Sequence, residues 1–176
     1  KQLSASTSIV DEFNLTKPVN RISFSLTSDG SIEWKSTKNG KRYEVSLRLN
    51  YQELAPGYTD TLNKSVDWFL GVVNSKTTDG GENLEKTFSG PGFYTLLESK
   101  LDPIPNVERW VGDVEITIAC GSQVLATYLD INSAGGSLLE EVPVYSNIDG
   151  GTGVFASRHT IMRAVGLSVT TERNLI

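Results

Sequence analysis

The chain contains few of the residues that most often bind metals or perform chemistry. Its 176 residues include one cysteine, Cys120, and one histidine, His159. One cysteine cannot form an internal disulfide, and one cysteine with one histidine cannot supply the common zinc ligand sets. We therefore expect no bound metal and no cofactor.

Long apolar runs and an excess of positive charge are also missing. No apolar run approaches the roughly 20 residues that a membrane-spanning helix requires. Lys and Arg together number 16 against 21 for Asp and Glu, which gives a net charge of −5. A chain without a basic block lacks the features that bind nucleic acid or an anionic lipid surface. We predict no nucleic-acid partner, and from the first residue, Lys1, we expect a processed product.

Alternation of apolar and polar residues with a period of two is the main feature that is present. Residues 43–51 show it most clearly, with apolar side chains at the odd positions and polar side chains between them. Similar segments occupy 21–26, 31–36 and 113–120, and polar or glycine-containing turns separate them. This pattern predicts a mainly β fold, an antiparallel β-sandwich or flattened barrel, formed by residues 21–176 as a single domain.

Three further segments lead to separate expectations. Residues 1–20 show no period, and we expect a tail or an edge segment there. One short helix is expected at about 91–101, because Pro91 suits the first turn and Pro103 follows the last apolar residue. The segment 122–132 follows a Gly-Ser turn, and we expect it to be the hairpin partner of the strand before it.

Asn39 and Gly40 form the clearest turn signal in the sequence. Both residue types tolerate positive φ angles, which a type I′ turn requires at its two central positions. We therefore predict a direct hairpin that joins the strand at 31–36 to the strand at 43–51.

Four aromatic residues are expected in the core. Trp34, Tyr43, Tyr51 and Trp68 each stand in phase with aliphatic neighbours on a predicted strand. In the strand that contains Trp68, we expect Val72 to share the inward face.

A glycine-rich stretch near the C-terminus resembles a dinucleotide-binding loop in its spacing. Gly151, Gly153 and Ala156 fit G-x-G-x-x-A, but too little chain follows to complete a βαβ unit. We predict a turn from Asn147 through Gly150 to Gly151 instead, and a bulge or close backbone approach at Gly153. Residues 154–155 should then lead into a closing strand.

Three residues are candidates for ligand binding. Trp110 follows an arginine and Tyr58 lies in a Pro-Gly loop, so both are expected at the surface, where aromatic rings bind sugars or peptides. Arg158 directly follows the glycine-rich stretch, and we expect it at the rim or paired with a carboxylate.

Ser157 and His159 support a weaker, catalytic alternative. Positions two apart on a strand share a face, so the hydroxyl and the imidazole could meet as nucleophile and base. No G-x-S-x-G pattern accompanies them. Because Ser157 and His159 can share a strand face, a small β-fold hydrolase is kept as an alternative hypothesis.

Four segments together resemble a family of Bacteroidetes envelope lipoproteins of unknown function. In chain order they are SIEWKSTKNGKRYEVSLRLNYQE, VDWFL, VERWVGDVEITI and PVYSNIDGGTGVFASR, and the block from Tyr145 to Arg158 is the most specific. The resemblance implies a secreted protein of the outer membrane, on its periplasmic or surface side. It also implies a lipid anchor upstream of this chain. It implies no catalytic residues.

We accordingly expect a non-enzymatic cell-envelope domain that binds a protein. The family resemblance suggests an outer-membrane TonB-dependent transporter as the partner. The alternatives are a carbohydrate-binding accessory domain for nutrient uptake, with a glycan partner, and the hydrolase with Ser157 and His159.

Overall fold

The computed structural model describes residues 2–133 and 144–175, and it shows a mainly β protein. The fold class that the alternation predicts is confirmed. The ten strands and three helices among these residues are, in chain order, β1 (Ser4–Ala5), β2 (Leu15–Lys17), β3 (Arg21–Ile22), β4 (Gly30–Lys35), β5 (Gly40–Leu54), β6 (Leu62–Asn74), β7 (Asn83–Phe88), α1 (Gly90–Lys100), β8 (Glu108–Ser122), α2 (Gln123–Ser133), β9 (Ile148–Asp149), β10 (Arg158–Leu167) and α3 (Val169–Leu175).

The described strands form three sheets. The largest has the order β3-β10-β8-β5-β6, and only its β3–β10 pair is parallel. A second sheet has the order β2-β4-β7, and β1 pairs with β9 in a small third one. Long antiparallel strands with one polar face explain the alternation in the sequence.

The core lies between the two larger sheets. The Trp34 ring on β4 packs against the Tyr43 ring on β5, with their centroids 5.7 Å apart. Phe24 stacks on Phe93 of α1 at 3.7 Å, so this helix closes one end of the core. Trp34 and Tyr43 are fully buried, while Tyr51 and Trp68 are partly buried against the core.

The predicted hairpin at Asn39 and Gly40 is wrong. β4 pairs with β2 and β7, whereas β5 pairs with β6 and β8, so the turn crosses between two sheets. Of these two residues, Asn39 has a positive φ, of 62°, and Gly40 does not. The Gly40 N–H donates to the Thr37 carbonyl. Gly40 is needed for close packing, since a Cβ there would lie 2.5 Å from the Tyr43 hydroxyl.

One helix was expected, and the described residues contain three. α1 agrees with the predicted helix at 91–101, and the Ser89 hydroxyl caps it by accepting the Gly92 N–H. The segment expected as a hairpin partner of β8 is instead α2. β8 already pairs with β5 and β10 along both edges, which leaves no position for another neighbour. Among the described residues, no helix has both the length and the apolar character needed to cross a bilayer.

A bulge in β6 changes which side chains face the core. Gly71, with φ at 114°, pairs with Val45, while Phe69 pairs with the next residue along β5. Beyond this shift Val72 lies opposite Glu44 on the outer face, so its predicted inward orientation is wrong. An extra residue in one strand of an antiparallel pair reverses the alternation that a strict period of two assumes.

The N-terminal segment follows the edge of the domain. Val10, Phe13 and Leu15 are buried, and β2 forms the outer strand of the three-stranded sheet. β1 pairs with β9, with Ser4 opposite Asp149. Several backbone groups of this segment are therefore held by the C-terminal part of the chain.

Candidate functional site

A cavity lies between α2 and the glycine-rich stretch. Its volume is about 730 Å³ and it opens to solvent. Ligand sites in proteins usually enclose about 300–1,000 Å³. The described residues that line it are Leu125, Tyr128, Asn132, Val144, Tyr145, Thr152, Gly153, Val154, Ala156, Ser157 and Arg158.

One wall of the cavity is a compact loop that two side chains hold in shape. The Asn147 Oδ1 accepts the Phe155 N–H at 2.8 Å, and its Nδ2 donates to the Phe155 carbonyl at 2.8 Å. The Ser146 Oγ accepts the N–H groups of Ile148 and Gly153. Together with the Asn147 N–H, which donates to the Gly153 carbonyl, these bonds hold the loop in shape.

The structure agrees only in part with the predicted turn at residues 147–151 and the predicted bulge or close approach at Gly153. Gly150 has φ at 77° and Gly153 at 150°, which are conformations that favour glycine. A Cβ on Gly151 would lie 3.0 Å from the Leu3 Cδ2. Ile148 and Asp149, however, form β9, so the turn contains fewer residues than the predicted range 147–151. β10 begins at Arg158, and residues 154–155 lie before that strand.

The opposite wall is α2, which lies over the outer face of the large sheet. A Cβ on Gly121 would lie 2.9 Å from the Leu125 Cδ2, so a glycine permits this close approach of helix and sheet. The Arg42 Nη1 contacts the Asp130 Oδ1 at 3.0 Å, which ties the far part of the helix to β5. α2 thereby presents Tyr128 and Asn132, one turn apart, to the cavity.

Arg158 lines this cavity and is exposed. It also lines a smaller neighbouring cavity of about 160 Å³, together with Arg42 and Glu44. Glu44 and Asp130 both contact Arg42, at 3.4 and 3.0 Å. Among the described residues, Arg158 has no carboxylate within salt-bridge distance and no hydrogen bond to its guanidinium. It is therefore a cation at the rim.

Ser157 and His159 form their contacts with other groups. The Ser157 hydroxyl donates to the Ser8 carbonyl at 2.6 Å and accepts the Val10 N–H at 3.1 Å. The His159 ring packs against Phe13 at 5.7 Å. Within the described residues no hydrogen bond joins the Ser157 hydroxyl to the His159 imidazole. The Ser157 hydroxyl instead holds the N-terminal segment in place through its hydrogen bonds to Ser8 and Val10.

Tyr58 and Trp110 lie at the opposite end of the large sheet. Tyr58 is 73 % exposed in the β5–β6 loop, and Trp110 is 45 % exposed on β8, where it pairs with Gln52. Gly121, which pairs with Arg158, lies eleven residues further along β8, roughly 35 Å at the usual rise of a strand. The three predicted ligand-binding residues therefore do not form one site.

A buried ion pair network lies near that opposite end. The Glu53 carboxylate is 3 % exposed and contacts the Lys64 Nζ and, at 2.9 Å, the Arg109 Nε. Hydrogen bonds from Lys64 and then Arg109 lower the pKa of Glu53 from its ordinary value. The carboxylate is paired on both oxygens, so this cluster is structural.

Sequence patterns missed the α2 half of the cavity. The prediction for residues 122–132 places Tyr128 and Asn132 on a strand, although Leu125 and Leu129 already have the i, i+4 spacing of a helix face. Among residues 2–133 and 144–175, no group of three His, Cys, Asp or Glu side chains is placed to hold a metal ion.

No protein-family model matches this chain, and neither a curated protein nor a solved structure is detectably similar to it.

Proposed function

We propose that this chain is a non-enzymatic domain of a cell-envelope protein that binds another protein through the cavity between α2 and the glycine-rich loop. The cavity itself is the observation that supports this most strongly. It combines two tyrosines, Tyr128 and Tyr145, with Arg158, which has no carboxylate partner among the residues that the structure describes. Tyrosine and arginine supply much of the binding energy at protein interfaces.

The resemblance of residues 145–158 to envelope lipoproteins supports the cellular setting. We propose an outer-membrane location, with a lipid anchor upstream of this chain and a TonB-dependent transporter as partner. The same fourteen residues form most of one cavity wall, so the resemblance and the cavity concern the same part of the chain.

Co-purification from native outer membranes tests this function. Tagged protein should retain a transporter, identified by mass spectrometry, and Tyr128→Ala should lose most of it. Tyr58→Ala is the matched control, because it removes an exposed tyrosine from the opposite end of the sheet. Equal retention of the transporter by both variants would contradict binding through the cavity. Turnover of hydrolase substrates by the purified protein would contradict the non-enzymatic assignment.

A carbohydrate-binding accessory function is the second candidate, and the exposure of Tyr58 and Trp110 favours it. Exposed aromatic rings can stack on sugar faces. This candidate predicts glycan binding that Trp110→Ala abolishes and Tyr128→Ala does not affect, measured on a glycan array.

A further inference from the structure

The charge distribution of the cavity indicates which chemical group it binds. Arg158 is the only charged side chain among the described residues that line it. The protein as a whole is acidic, with a net charge of −5. Among the described lining residues, one guanidinium without a carboxylate partner in an acidic protein makes this cavity a local site for an anion.

Neighbouring groups leave the guanidinium of Arg158 available. Glu44, which lines the smaller neighbouring cavity with Arg158, and Asp130 on α2 both contact Arg42. Ser157, the next residue, directs its hydroxyl to the N-terminal segment. An arginine presents a planar fork of N–H donors that matches the two oxygens of a carboxylate.

The rest of the lining favours an organic group beside the anion. Leu125, Val154 and Ala156 are apolar, and Tyr128 and Tyr145 add aromatic faces with a hydroxyl each. A volume of about 730 Å³ is of the size that encloses a small ligand, not a folded element. The end of a peptide chain fits these properties, because it joins a carboxylate directly to a side chain.

We propose that this cavity binds the C-terminal residue of a partner protein, with its α-carboxylate on Arg158 and its side chain between Tyr128 and Tyr145. This inference rests on the proposed function and specifies the part of the partner that enters. It makes Arg158 the residue that distinguishes a chain end from an internal segment.

Three N-acetylated tetrapeptides that end in phenylalanine test the proposal by isothermal titration calorimetry. The first has a free carboxylate, the second is amidated, and the third is amidated with a glutamate before the phenylalanine. The free acid should bind about tenfold more tightly than the amide, because the amide cannot form the charge-assisted pair with Arg158. Arg158→Gln should abolish this difference, and Arg158→Lys should keep part of it.

Arg173→Gln is the matched control, because it removes the same charge from the exposed surface of α3 and should leave the difference unchanged. Equal binding of the free acid and the amide overturns the proposal. So does equal binding of the glutamyl amide and the free acid, or binding of glucuronate when none of the three peptides binds. Thermal unfolding curves verify that each variant is folded.

The two proposals fail in different ways. Peptide discrimination without a captured transporter contradicts the proposed function and supports the carboxylate site. Capture of a transporter that depends on Tyr128, without peptide discrimination, supports the function and overturns the carboxylate site.

Discussion

The side-chain amide of Asn147 bonds to both backbone polar groups of Phe155, eight residues away, at 2.8 Å each. An amide that donates and accepts in this way reproduces one pair of a β-ladder. It closes the loop that forms a wall of the cavity. The glycines at 150 and 153 allow the chain to turn, and Asn147 holds the turned chain together.

Asn147→Ala should therefore loosen this loop and lower the free energy of unfolding by about 1 kcal/mol. Asn147→Asp should lie between the wild type and the alanine variant, since a carboxylate can accept the Phe155 N–H but cannot donate to its carbonyl. Urea denaturation measures the change. Asn14→Ala, on the exposed N-terminal segment, should stay within about 0.5 kcal/mol of the wild type. A fully stable alanine variant would contradict this role.

Gly40→Ala should destabilise the protein through overpacking. A Cβ at this position would lie 2.5 Å from the Tyr43 hydroxyl and 2.6 Å from the Cys120 Sγ, both in the buried core. Overpacking of this kind costs about 1–3 kcal/mol. Gly166→Ala is the control, because its nearest neighbours lie at 3.9 Å or beyond. If both variants unfold at the same urea concentration, close packing at Gly40 is not required.

Alternation predicted the strands well because most side chains of the large sheet face either the core or solvent. From Tyr43 to Leu49 each odd position is buried, as the sequence indicates. Pairing was not predictable in the same way. Asn39 and Gly40 look like a hairpin turn, but whether consecutive strands pair depends on which edges are free, and the two edges of β5 are occupied by β6 and β8.

The candidate site was only half predictable for a related reason. The glycine-rich stretch contains its own turn chemistry, so its shape follows from Asn147, Gly150 and Gly153. The α2 wall cannot be predicted from its own residues, because residues 122–132 are compatible with either a strand or a helix until the neighbours of β8 are known. Proline cannot donate to a β-ladder, so the sequence argues against a central strand at Pro143, a position that lies outside the described residues.

Cys120 should resist modification in the native protein. Its side chain is fully buried, and burial raises the pKa of the thiol to about 11, so the reactive thiolate is scarce at about pH 8. A thiol reagent such as DTNB should react slowly with the folded protein and stoichiometrically in denaturing urea. Gly40→Ala should accelerate the native reaction by increasing local opening. Rapid labelling of the folded wild type would show that this part of the core is open.

Glu53 should make stability depend on pH in the acid range. Lys64 and Arg109 lower its pKa in the folded state below that of the unfolded chain. The carboxylate therefore stabilises the fold fully above the unfolded pKa of about 4.3, and this stabilisation is lost as the pH falls through the lower, folded pKa. Thermal unfolding between about pH 7 and pH 2 measures the dependence.

Glu53→Gln should be less stable than the wild type at neutral pH, and the gap should narrow as the solution is acidified. Arg109→Gln removes one of the two partners and should give a smaller loss, with Lys64 still bound to the carboxylate. A constant gap between Glu53→Gln and the wild type across the acid range would mean that Glu53 stabilises the fold without its charge. The narrowing gap instead assigns the acid sensitivity to the pairing of this carboxylate with Lys64 and Arg109.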